Sequence, residues 1–127
     1  MLRAVEYEGE VAELLKGDED LIRGFALEAL GLFGIPTYAG TIAACLKDEN
    51  AWVRCNALTA LGRLEAKEHA KNIADLLNDS AVCIVYSDVI KDPTTVQFRT
   101  SRDATVGSLA AQVLKDWGMS QETSKER

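Results

Sequence analysis

The chain is 127 residues long, 47% hydrophobic and only 6% aromatic, with a formal charge of −6 and a pI near 4.8. One domain of that size buries about two-thirds of its unfolded surface. The acidic balance, with no basic cluster longer than a dipeptide, argues against DNA, RNA or an anionic membrane as partner and favours a basic or neutral protein. No apolar run approaches the roughly 20 residues that span a bilayer, and MLRAVEYEGEV carries acids where a signal peptide needs a basic stretch, so a cytoplasmic protein is expected.

The first expected helix, over 3–16, places Glu6, Glu10 and Glu13 along one side. The next two, over 20–33 and 36–47, begin a repeat. LKGDEDLIRGFALEALGLF at 15–33 returns at 46–64 as LKDENAWVRCNALTALGRL, with 8 identities in 19 positions at an offset of 31. Among them Arg23 meets Arg54, and Ala26, Leu27, Ala29, Leu30 and Gly31 meet Ala57, Leu58, Ala60, Leu61 and Gly62. Ile22 exchanges for Val53 and Phe33 for Leu64. A fixed period of this size marks stacked helical units. Pro36 suits the first turn of the third helix, where its missing N–H costs nothing.

The fourth helix, over 50–64, shows the helical period directly. Val53, Ala57, Leu58, Ala60, Leu61 and Leu64 share one wide face, and its alanines allow close helix approach. A fifth helix over 67–78 carries Ala70, Ile73, Ala74 and Leu77 on one side. NIADLLNDS at 72–80 resembles EVAELLKGD at 10–18, so the first helix is the second member of a pair. Cys45, Cys55 and Cys83 are odd in number and lack CxxC spacing. Buried reduced thiols are expected rather than a disulfide framework or a zinc cluster.

From 81 to 102 the rhythm changes. Val82, Ile84 and Tyr86 alternate with Cys83, Val85 and Ser87, and Val96 and Phe98 with Gln97 and Arg99. Lys-Asp-Pro-Thr at 91–94 reads as a turn, so a β-hairpin of 82–90 with 95–101 is predicted. TVGSLAAQVLKDW at 105–117 then resumes the repeat without its Arg, giving a sixth helix over 103–117. The chain therefore reads as a mainly α domain over 1–118 with a hairpin insertion, followed by a polar tail, 119–127, expected to be disordered.

Leu-x-Asp-x-x-x-x-Val-Arg-x-x-Ala-Leu-x-Ala-Leu-Gly, at 46–62, resembles a HEAT repeat of the short bacterial kind found in phycobilin-lyase-like proteins. The resemblance implies a short α-α solenoid, and with no catalytic motif in the chain a non-catalytic adaptor, regulatory or inhibitor-type module is expected, binding another protein through its solenoid groove and hairpin without a cofactor. Its alternative implication is a chromophore-lyase-like subunit.

Within that frame Arg23 and Arg54, beside Asp48 and Asp79, are expected to tie successive inter-helix turns into a ladder. Tyr86, Phe98 and Arg99 are the candidate anchors if the hairpin recognises a partner rather than only capping the stack. Trp52 is a candidate contact that also suits packing between units. Glu6, Glu10 and Glu13 form a solvated face or an acidic docking strip. The exposed ends of so short a stack also allow a homodimer. His69 is the single histidine and no nucleophile motif accompanies it. A metal site, a catalytic dyad and the repeated His-Glu pairs of HEAT-type hydroxylases are therefore not indicated.

Overall fold

The computed structural model describes residues 8–89 and 98–119. Helix α1, Glu8–Glu13, runs into a 3₁₀ turn at Leu14–Lys16. Helix α2 is Asp20–Phe33, and α3, Ala39–Ala44, lies between 3₁₀ turns at Pro36–Tyr38 and Cys45–Lys47. Helix α4 is Ala51–Leu64, and α5, Ala70–Ala74, follows a 3₁₀ turn at Lys67–His69. Strands β1, Val82–Val89, and β2, Phe98–Thr105, form an antiparallel pair, and α6, Val106–Asp116, ends the described chain. The helices form the expected short α-α solenoid with a hairpin inserted near its C-terminal end.

The repeat governs the stacking. Helices α2 and α4 are equivalent members of successive units and share the largest helix–helix interface, while α6 packs on α4 and α5. Their common face is small by design of the sequence. A methyl on Gly24 would overlap the Trp52 ring, and one on Gly31 would come within 2.9 Å of the Ala60 Cα. Close approach brings Leu27, Leu30, Leu58 and Leu61 into full burial, joined by Ile42, Val53 and Ile73. Each such side chain contributes about 1.5–3 kcal/mol over its exposed state.

Helix ends follow local chemistry. Gly34 closes α2 in the left-handed conformation, with φ of 71°, which glycine adopts without a Cβ clash. Thirty-one residues on, Glu65 holds the matching left-handed position at φ 52°. Asn50 caps α4 by accepting the Val53 N–H at 3.1 Å. Thr105 caps α6 through a reciprocal pair with Ser108.

That capping box explains one departure from the sequence reading. The last helix starts at Val106 instead of 103, and β2 runs to Thr105 instead of stopping at 101. The register pairs Val82 with Thr105 and Val89 with Phe98. That turn, Pro93 and Val96 lie outside the described residues.

A second departure concerns the cysteines. Cys55 and Cys83 form a disulfide, joining the buried side of α4 to the base of β1, and Cys45 alone is free and only partly buried. The expectation of reduced thiols fails because partners 28 residues apart meet only when the hairpin folds back on α4.

The last unit departs from the repeat for a steric reason. Gly107 occupies the position of Arg54, and its N–H donates to the Asp79 carbonyl at 2.8 Å. A methyl there would overlap the Leu77 carbonyl oxygen. Gly107→Ala, the smallest step back towards the repeat, is expected to cost about 2 kcal/mol by overpacking, measured by urea denaturation. The Cys55→Ser, Cys83→Ser double variant is expected to lose about 3 kcal/mol from the 28-residue loop. Its thermal unfolding should then be insensitive to dithiothreitol, whereas the unaltered chain should become less stable when reduced.

Candidate interaction surfaces

The inter-helix turns carry the most organised polar geometry. Arg23 Nε donates to Asp48 Oδ2 at 2.8 Å and Nη2 to Oδ1 at 3.0 Å. Its Nη1 donates to the Gly17 carbonyl at 2.9 Å. One unit later, Arg54 Nε donates to Asp79 Oδ2 at 2.9 Å and Nη2 to Oδ1 at 3.4 Å, while Nη1 reaches the Asp48 carbonyl at 2.7 Å. Each acid also accepts the backbone N–H two residues on, Asn50 for Asp48 at 2.9 Å and Ala81 for Asp79 at 3.0 Å. Every guanidinium thus binds its own turn through a carbonyl and the next turn through a carboxylate, the fork geometry that lysine lacks. Asn50 Nδ2 adds a link back to Asp20 Oδ2 at 2.9 Å.

These side chains are 11–18% exposed, so the pairs are screened less than surface ion pairs. Burial pushes the Asp48 carboxyl up. The Arg23 hydrogen bond, the Asn50 N–H and the charges of Arg23 and Arg54 outweigh it and hold the group below the usual carboxylate range.

The other expected contact residues scatter. Glu6 lies outside the described residues, whereas Glu10 and Glu13 are exposed on α1, the latter paired with Lys16 at 3.4 Å. Trp52 is partly buried between units. Its ring covers Gly24 and meets Phe25 edge-on at 5.3 Å, which fits its packing role. Along the hairpin backbone Tyr86 stands opposite Ser101, Arg99 opposite Asp88 and Phe98 opposite Val89. At the hairpin base Cys83 and Ala104 are buried and Val82 is exposed. His69 stands half-buried immediately before α5. Among the described residues no cluster of His, Cys, Asp or Glu is placed to hold a metal, and no helix is long and apolar enough to cross a membrane.

Two surfaces escaped the sequence reading. One is a cleft of about 400 Å³ between the end of α4 and α6, lined by Arg63, Lys67, Glu65 and Asp116 together with Val113 and Trp117. The other lies on α2, where Leu21, Phe25 and Leu32 are 61%, 55% and 65% exposed. Ile22, expected to share the burial of Val53, is 44% exposed against 0%. The signal was present, since Leu21, Phe25 and Leu32 stand where α4 has Trp52, Asn56 and Arg63.

The family model for HEAT repeats matches residues 10–90. No curated protein matches the chain. The matched span covers both full repeats, the Arg–Asp rungs and the first strand.

Because the folded pKa of Asp48 is depressed, its stabilisation is complete above the unfolded value, near 3.9, and drains away as pH falls through the folded one. Asp48→Asn is expected to cost about 1–2 kcal/mol at pH 7. In paired denaturation curves the gap from the unaltered chain should hold down to about pH 4 and close below it.

Proposed function

The chain belongs to the HEAT-repeat family, and from that premise we propose that it is a non-catalytic scaffold whose function is to bind another protein. HEAT repeats commonly serve as protein-interaction modules. The fold alone does not name an activity, so the reading rests on one observation. Every buried side chain among the described residues is apolar or cysteine, and the polar groups lie at the surface. The acids of α1, the mixed-charge cleft and the apolar strip of α2 face outward from the stack, whose rungs lie largely buried between its turns. Such a surface is suited to contact with a macromolecule more than to enclosing a small one.

A charge of −6 favours a neutral or basic partner through steering and complementarity. The hairpin supplies a second contact in this reading. Its two strands offer outer edges for pairing, and Tyr86, Phe98 and Arg99 are its proposed anchors.

The test is affinity capture with the full chain, from lysate of its native source, followed by sedimentation of the reconstituted complex. A partner at fixed stoichiometry is expected, its affinity reduced about tenfold when Tyr86, Phe98 and Arg99 are all alanine. If no partner reaches fixed stoichiometry, the scaffold reading fails. A chain that purifies coloured with bound bilin would point instead to the chromophore-lyase alternative.

A further inference from the structure

The two ends of the stack are finished differently. At the C-terminal end the outward side of α6 shows Ser108, Gln112, Lys115 and Asp116 to solvent, the polar finish that a terminal solenoid unit needs. Among the described residues the other end has no such finish. The face of α4 that packs on α2 is made by Trp52, Val53, Asn56 and Ala60, with Arg63 at its exposed end. Shifted back by one repeat, the same face on α2 is Leu21, Ile22, Phe25, Ala29 and Leu32. Here it is largely uncovered.

A face turned to water should be more polar than its covered copy. This one is less polar. Half-buried Asn56 is replaced by Phe25, and Arg63, exposed at the end of the face, by Leu32. An exposed apolar stripe running the length of a helix marks a place where something docks. The internal copy shows what geometry fits, because one repeat later the equivalent face receives a helix laid alongside it.

Two alternative occupants fit less well. A further unit in the same register would present an Arg seeking a carboxylate at position 17, and Gly17 stands there. A second copy would bring the face against itself, along with its charge. Residues 8–33 carry seven carboxylates against two cations. Glu13, Asp18 and Glu19 are exposed at the flank, and Glu28 lies within the stripe. Doubling that field across an interface is unfavourable, whereas a cationic partner is drawn to it.

We infer that the uncovered side of α2 is a docking site for a basic amphipathic helix of another protein, seated on Leu21, Phe25 and Leu32 and flanked by the acids of α1 and the α1–α2 turn. The inference rests on the scaffold reading and names the surface and partner chemistry within it.

The experiment uses the full chain and a fluorescein-labelled 18-residue peptide with leucine and alanine on one helical face and lysine on the other. Binding is read by anisotropy. A second peptide replaces every lysine with glutamate. The Leu21→Lys, Leu32→Lys double variant removes the apolar stripe and repels a cation. Both positions are exposed, so its melting temperature should match that of the unaltered chain within a few degrees, and Phe25→Ala serves as a milder second variant.

The lysine peptide should bind, the glutamate peptide about tenfold more weakly, and the double variant should lose about tenfold in affinity for the lysine peptide. Equal binding by all three proteins would overturn the assignment, as would equal binding of the two peptides. A chain that sediments as a dimer, and becomes a monomer in the double variant, would assign the face to a second copy instead. Should the captured native partner bind the double variant undiminished, the α2 site falls while the scaffold reading stands. Failure of capture by the unaltered chain removes the scaffold reading itself.

Discussion

The forked grip of one arginine on two successive turns is the contact on which the rest of the architecture depends. Arg23 and Arg54 each hold a carbonyl in their own turn and a carboxylate in the next. That fixes the offset between units to one value. With the offset fixed, Trp52 falls over Gly24 and Ala60 over Gly31, and the leucines between them are fully buried. Apolar packing supplies most of the stability, but it is nearly non-directional. A greasy helix face accepts many sliding positions, and the rungs select among them.

The rungs also show how the series stops. At the C-terminal end Gly107 replaces the arginine, because the start of α6 presses directly on the turn after α5 and leaves no room for a side chain. A backbone N–H then takes the Asp79 carbonyl that ends the series. At the other end Gly17 removes the acid, and its carbonyl still receives Arg23. Each end has lost a different half of the rung. Among the described residues only one end has acquired a polar exterior, and that asymmetry gives the stack a direction.

The hairpin belongs to the same logic. It enters where a connection between units would otherwise run, and Cys83 bonds to Cys55, the residue of α4 that corresponds to Gly24 of α2. In α2 that position is covered by the Trp52 ring. In α4 the base of β1 is tied to it instead. The insertion therefore takes over a packing site that the repeat had already made, which is why 22 inserted residues do not prevent α6 from resuming its place against α4.

Residue order by itself determined the helices and their pairing, because both follow from local periodicity and from a copy 31 positions away. The Arg and Asp positions of the rungs were legible for the same reason, since a repeat carries its neighbour's coordinates within it. The disulfide, the start of α6 and the exposure of Ile22 were not legible. Cys55 and Cys83 meet through a fold-back that no spacing encodes. Thr105 chooses between strand and cap only when β1 and the turn after α5 offer partners. Ile22 and Val53 are interchangeable letters until one is covered by a helix and the other is left at the end of the stack. Burial is a property of neighbours, and tertiary structure alone decides which neighbours a repeat's first and last members lack.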